Sequence, residues 1–257
     1  MNTTKRLKIL LLSISLTLSA TSYLRATGLN EGEMENAPSP RELLHSCARM
    51  IPVEPLILTG ELIVRKQRGI ELARHSFQLM TDWGASPPSA ECHMLAPGGT
   101  AIVERVVLTR PGNAPAQIKI FKDSAPDTES SSLSLAGRVR GTDMTWMDLT
   151  LDFLWWQDVR FDSKAEDDCR IGRSCYVLLA APPHNIPGCS ALRIWIDKQL
   201  RCVMQTEQLN SHGETVRRMW VQRVKKMDDR WMIRHMEIET LDSGHRTKLL
   251  INDVAKP

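Results

Sequence analysis

Apolar and polar residues alternate with a period of two over most of the chain between residues 56 and 254. This is the pattern of half-buried β-strands. Short runs rich in Gly, Pro, Asn or Asp separate the alternating segments, for example Pro97-Gly98-Gly99 and Asn210-Ser211-His212-Gly213. Such runs form tight turns. The pattern predicts about ten or eleven strands, joined mostly by sequential antiparallel hairpins; two of these strands are expected over residues 117–122 and 173–181.

Two stretches predict helices instead. Ser39 precedes Pro40, with Glu42 three positions after the serine; this arrangement is typical of a helix start, and apolar residues follow at helical spacing up to Pro52. The second stretch, residues 141–156, is called the central segment below. Its Thr145-x-x-Asp148 spacing predicts a short helix starting near Thr145, and the period of two that follows predicts an extended strand by about Phe153.

The helices have no βαβ spacing, so a parallel sheet is disfavoured. An antiparallel meander of this size curls towards a barrel because strand twist accumulates, and its concave side is then either filled or hollow. Periodicity does not decide between these, nor which side each apolar residue faces. Candidates for the concave face or for a lid over it are Met80, Met94, Trp146, Met147, Leu149, Leu151, Phe153, Trp155, Trp195, Met204, Trp220, Trp231 and Met236.

The N-terminus has the pattern of a secretory signal peptide over residues 1–22. Lys5, Arg6 and Lys8 precede an apolar stretch from Ile9 to Leu18, and small residues follow at a cleavage site. We expect a polar leader over residues 23–38, one folded domain over residues 39–257, and a periplasmic location. An uncleaved anchor is the alternative.

Charge and motifs exclude several function classes. The formal charge is +3 over 257 residues, and removing the three N-terminal cations leaves the rest of the chain neutral, which argues against nucleic acid as a partner. The sequence has no nucleophile-elbow, zinc-protease, phosphate-loop or dinucleotide motif. We therefore expect no enzyme activity, no cofactor and no metal. Asp143, Asp148 and Asp152 are interpreted as capping and solvated residues.

Six cysteines in an oxidising compartment can pair in fifteen ways. If residues 174–181 and 190–197 form a hairpin, Cys175 and Cys189 can face each other across it, and a disulfide there is one hypothesis. Buried free thiols are the alternative.

One run also resembles a known family. Residues 141–149, Gly-Thr-Asp-Met-Thr-Trp-Met-Asp-Leu, resemble the Gly-Thr-Asp-aromatic-x-aromatic-x-Asp-Leu signature of the outer-membrane lipoprotein-sorting family, with its LolA-like and LolB-like proteins and phospholipid-binding relatives. The segments 175–178, 194–198, 224–233 and 245–249 look familial too, whereas Met144 replaces the commoner aromatic. The resemblance spans roughly residues 141–254. It implies a mainly β fold with helices, an incomplete, half-open antiparallel β-barrel covered by an N-terminal and a central helix, whose apolar cavity takes acyl chains.

The predicted function is a periplasmic carrier that shields acyl chains, in lipoprotein or lipid sorting. Its partners would be acyl lipids or lipoprotein acyl chains, and membranes or membrane proteins as donor and acceptor. The alternative is a non-transporting periplasmic module that senses lipid or binds a protein. Residues 145–153 are the hypothetical lid, and a helix that plugs the barrel permanently is the other interpretation.

Overall fold

Fourteen strands form one antiparallel sheet in the computed structural model, which describes residues 38–66, 69–112, 114, 116–122, 131–132, 134–163, 168–170, 172–227 and 230–257. The predicted signal peptide and all of the predicted leader except Pro38 lie outside these residues, as does the side chain of Trp231. The strands are β1 Leu56–Lys66, β2 Glu71–Asp82, β3 Ser89–Leu95, β4 Ile102–Thr109, β5 Gln117–Lys122, β6 Ser131–Ser132, β7 Asp158–Phe161, β8 Asp168–Arg170, β9 Arg173–Ala181, β10 Ala191–Asp197, β11 Val203–Leu209, β12 Thr215–Met227, β13 Arg230–Thr240 and β14 His245–Ala255.

The predicted number of ten or eleven strands is too low. Twelve of the fourteen have four or more residues, and the two shortest, β6 and β8, have two and three. Segments that short contain no readable alternation. The predicted antiparallel hairpins are otherwise present, and the predicted bounds of β5 and β9 agree with the structure.

The sheet is open, and its two halves are joined by the pairing of the first strand of the chain with the last. The strand order is β6-β5-β4-β3-β2-β1-β14-β13-β12-β11-β10-β9-β7, and β8 pairs with β9. β1 and β14 pair from Ile57 opposite Ala255 to Lys66 opposite His245. β6 and β7 lie at the two ends of this strand order and do not pair with each other, so the described sheet does not close into a barrel.

The first helix, α1, covers Pro40–Arg49 and begins as predicted. The Ser39 hydroxyl accepts a hydrogen bond from the Glu42 N–H, and the Glu42 carboxylate accepts one from the Ser39 N–H at 2.8 Å. This capping box satisfies donors that the first helical turn leaves unpaired. Leu43 and Leu44 are buried on the side that packs against the sheet and the central segment.

The central segment begins as predicted but does not become a strand. Helix α2, Trp146–Thr150, follows Thr145, whose N–H donates to the Asp148 carboxylate at 2.7 Å. It ends because Leu151 adopts a left-handed conformation with φ 50°. A 3₁₀ turn over Asp152–Trp155 comes next, so the expectation of an extended strand by Phe153 was wrong. Left-handed Leu151 and the distant partners of Asp152, Arg110 and Ala116, hold this turn, so the period of two in the sequence does not decide its conformation.

The main hydrophobic core lies between the concave face of the sheet and the central segment. A smaller cluster contains Cys175, Val177, Trp195, Met204 and Val221. Cys175, Val177 and Trp195 alternate along their strands with residues of the main core. Since successive strand residues point to opposite faces, these three lie on the other side of the sheet. None of the described helices is long and apolar enough to cross a membrane.

Candidate functional site: the covered concave face

The central segment covers the concave face with large apolar side chains. Trp146, Phe153 and Trp156 are among the largest side chains that are almost fully buried, and Met147 and Leu154 are buried beside them. Removal of this segment would uncover a continuous apolar surface on the sheet. The covered face is therefore the candidate site for an apolar ligand.

The structure brings together most of the predicted lining residues. Those in the main core are Met94, Trp146, Met147, Phe153 and Met236, and Leu149, Leu151 and Trp155 pack at its margin. Trp195 and Met204 lie in the second cluster, away from the concave core. Met80 and Trp220 are half-buried and belong to neither cluster. Sequence alternation identifies the two faces of a strand without saying which one is concave.

Asp143 fixes the start of the central segment to β14 and to the end of β13. Its carboxylate is fully buried and accepts hydrogen bonds from the Thr247 hydroxyl at 3.0 Å and from the Thr240 N–H at 3.3 Å. The Nδ1 atom of His245 lies 2.9 Å from the same carboxylate. In addition, the Asp143 carbonyl accepts a bond from Arg217 Nε at 2.9 Å.

The other two aspartates fix the middle and the end of the segment. The buried Asp148 carboxylate forms an ion pair with Arg217 of β12 and accepts a bond from the Thr145 hydroxyl at 2.8 Å. Asp152 lies 3.0 Å from Arg110 Nη1 and accepts a bond from Trp156 Nε1 at 3.1 Å. The expected capping role of Asp148 is confirmed, but the expectation that the three aspartates are solvated was wrong.

These contacts form an ionic clamp, defined here as Asp143, Asp148 and Asp152 with their partners. A buried charge is tolerated only when it is paired and hydrogen-bonded. The partners of the three carboxylates lie on β14, on β12 and directly after β4. The clamp therefore contacts both halves of the sheet. The segment is thus attached by side chains rather than by a strand ladder.

Two cavities of about 210 Å³ each border the central segment. One lies between α2 and the strands β11–β13 and includes Arg138, Met147, Ile186, Pro187, Val216 and Arg217. The other lies between the end of α1, the end of β2 and the 3₁₀ turn, and includes Ile51, Val53, Trp83, Pro88, Arg110 and Trp155. Each is below the ~300–1,000 Å³ usual for ligand sites.

The expected disulfide between Cys175 and Cys189 is not formed. Cys189 is a free thiol, as are Cys47, Cys92 and Cys202. The predicted hairpin exists, but Cys175 lies opposite Asp197, and Cys189 precedes β10 at the other end of the hairpin. Burial raises the pKa of the Cys189 thiol to about 11 and that of Cys92 to about 12, which disfavours the reactive thiolates.

No group of three or more His, Cys, Asp or Glu side chains suited to a metal ion occurs in the described part of the chain. The candidate site thus offers apolar surface and paired charges.

Solved structures share this fold at low sequence identity. A DUF1329 family protein from Desulfovibrio piger has a TM-score of 0.71 and 14% identity, over 85% of this chain and 94% of that one. A putative outer membrane lipoprotein-sorting protein domain from Vibrio parahaemolyticus has a TM-score of 0.71 and 14% identity, over 84% and 91%. A LolA superfamily protein from Nitrosomonas europaea has a TM-score of 0.66 and 12% identity, over 86% and 94%.

These likenesses define the class: the chain has the LolA-like fold, an open antiparallel sheet with a covered concave face. The predicted resemblance to this group is confirmed at the level of the fold. A family model with the description "-like: Uncharacterized protein" matches residues 128–256, and the chain belongs to that family. No curated protein matches the sequence.

Proposed function

We propose that this protein is a periplasmic carrier that shields the acyl chains of a lipid or lipoprotein on its concave face, with the central segment as the lid. The segment 1–22 would direct it there as a cleavable signal peptide. Support comes from the LolA-like fold and from the apolar character of the covered face.

The observation that carries the proposal is how the cover is attached. Three of the largest buried side chains, Trp146, Phe153 and Trp156, belong to a segment with a five-residue helix and a four-residue 3₁₀ turn. The principal polar contacts of this segment with the sheet are the ionic clamp. All the strand pairings of the two halves run independently of this segment. Its detachment therefore leaves the sheet formed and its concave face free for hydrocarbon.

Binding of an acyl chain competes with closure of the lid. Burying a methylene group contributes about 0.8 kcal/mol, so ten methylenes supply on the order of 8 kcal/mol before ordering costs. Closing the lid buries several large apolar side chains and pairs the clamp, so an acyl chain has to replace those contacts. Release to an acceptor with higher affinity then allows the lid to close again.

The test is lipid transfer by the full chain. We expect acyl lipid in organic extracts of the protein purified from cells, saturable binding of a fluorescent fatty acid, and faster exchange of a labelled phospholipid between donor and acceptor vesicles. Binding without faster exchange would contradict the carrier and favour the sensing alternative. Failure to bind any acyl probe would contradict both.

A variant pair tests the lid. Asp148→Asn removes the partner of Arg217 and loosens the closed state, so we expect a faster association rate with the fluorescent fatty acid. Glu71→Gln removes a carboxylate of an exposed ion pair with Arg74 and is the matched control. Equal association rates for the two folded variants would favour a permanent plug.

A further inference from the structure

The cavity at the end of α1 combines apolar walls with one buried cation. Trp83 and Trp155 lie with their ring centroids 6.4 Å apart, and Ile51, Val53 and Pro88 complete the walls. Its volume of about 210 Å³ corresponds to roughly seven waters at about 30 Å³ each. The cavity has room for a short amphiphile but not for a complete phospholipid.

Arg110 is the polar group of this cavity, and most of its hydrogen-bonding capacity is unused. Its side chain is only 4% exposed, and Nη1 contacts Asp152 at 3.0 Å. Nε and Nη2 are buried and have no hydrogen-bond partner among the described residues. Burial lowers the pKa of this guanidinium, and the adjacent Asp152 opposes that change. An unsatisfied buried donor costs about 1–3 kcal/mol, so two of them at one side chain call for an acceptor.

The geometry of the unpaired atoms selects the acceptor. The N–H bonds of Nε and Nη2 form one edge of the guanidinium fork, which pairs with the two oxygens of a carboxylate or phosphate. Asp152 cannot serve both edges, because it also accepts bonds from Trp156 Nε1 and from the Ala116 N–H. Trp155 stacks on one face of the guanidinium at 3.9 Å from the ring centroid, so an acceptor has to approach along the edge.

We propose that this cavity binds the anionic end of a small amphiphile, a carboxylate or phosphate monoester, with two oxygens on the Arg110 edge and the apolar body against the Trp83 and Trp155 rings. The Nε and Nη2 atoms of Arg110 are shielded from bulk solvent. Trp155, which is only partly buried, therefore turns aside as the ligand enters. This binding does not require transport, so it stands or falls independently of the carrier proposal.

The first test uses the unchanged full chain and a ligand series of equal chain length. Octanoate and octyl phosphate should bind saturably and change the tryptophan fluorescence, and methyl octanoate and octanol should bind at least ten-fold more weakly. Stronger binding of one anion identifies which oxygen group fits. Equal affinity of octanoate and methyl octanoate would overturn the proposal, as would the absence of octanoate binding.

The second test places a charge at the mouth of the cavity without touching the buried pair. Val53 lines the cavity and is 62% exposed, so its substitution leaves the core packing intact. Val53→Asp should weaken octanoate binding about ten-fold by repulsion, whereas Val53→Lys should not weaken it. Ile70→Asp is the matched control, since Ile70 is 61% exposed at the opposite end of β2.

An equal octanoate affinity for Val53→Asp and Ile70→Asp would contradict binding in this cavity. Loss of octanoate binding in Val53→Asp, with unchanged exchange of labelled phospholipid between vesicles, would show that the anion pocket and the acyl-chain surface are separate sites.

Discussion

At the scale of single residues, buried charges decide how the central segment is held. The sequence shows three aspartates at intervals of five and four residues, which suggests a solvated face. The fold instead brings Arg217, His245 and Arg110 to them from distant positions. No local pattern in the sequence identifies those partners. Arg110 and Arg217, for example, are two of 33 lysines and arginines in the chain.

Asp148→Asn should destabilise the protein strongly. It leaves the Arg217 guanidinium, whose side chain is 8% exposed, without its charged partner. Breaking one side of a buried pair costs about 3–5 kcal/mol. Urea denaturation should show this loss in the free energy of unfolding, with little change for the exposed control Glu71→Gln. A near-neutral Asp148→Asn would mean that water already solvates the pair.

Stability should fall in mild acid because of two half-buried histidines. Burial is the main cause that lowers the pKa of both His75 and His235. As the pH drops below the unfolded value of about 6.5, the unfolded chain binds protons before the folded one does, so the free energy of unfolding decreases until the folded pKa is reached. Above the unfolded pKa, these histidines contribute no pH dependence.

Urea midpoints measured at about pH 7.5 and pH 5.5 test this expectation. The double variant His75→Gln/His235→Gln should show a smaller drop between the two pH values than the unchanged protein. An equal drop would assign the acid sensitivity to other groups.

At the scale of elements, local sequence signals worked where the hydrogen bonds are local. The start of α1, the capping of α2 and the bounds of β5 and β9 follow from capping chemistry and alternation. The 3₁₀ turn over Asp152–Trp155 did not follow. Its conformation depends on left-handed Leu151 and on the distant partners of Asp152, which alternation does not record.

Ser39→Ala should weaken α1. The variant loses the side-chain half of the capping box, which costs about 1 kcal/mol. Thermal unfolding should show a lower midpoint, and Ser211→Ala in the exposed β11–β12 turn serves as the control. Identical midpoints for both variants would show that packing of Leu43 and Leu44 alone fixes the helix.

At the scale of the whole molecule, the pairing of β1 with β14 makes one sheet from two halves. Gly60 lies at the irregularity in this ladder, and only the absence of a side chain allows the strands to approach. A Cβ atom there would lie 2.4 Å from the Leu250 carbonyl oxygen and 2.7 Å from the Phe77 ring. The backbone oxygen cannot move aside without disturbing the ladder.

Gly60→Ala should therefore cost about 1–3 kcal/mol through overpacking. Gly99→Ala is the control, since its nearest neighbour would be 3.9 Å away. Hydrogen exchange should show faster opening of β1 and β14 in Gly60→Ala alone. Equal protection in both variants would mean that the ladder tolerates a shift.

Local patterns in the chain were enough to predict the β-rich architecture, the antiparallel hairpins, the start of both helices and the resemblance to the lipoprotein-sorting family, because each depends on neighbouring residues or on a contiguous motif. The folded structure was needed for the β1–β14 junction, the position of Trp195 on the sheet face opposite to the one that Phe153 covers, the clamp on the three aspartates, the separation of Cys175 from Cys189, and the unpaired edge of Arg110. These features depend on contacts between residues far apart in the chain, and alternation along one strand contains no information about what the fold places opposite it.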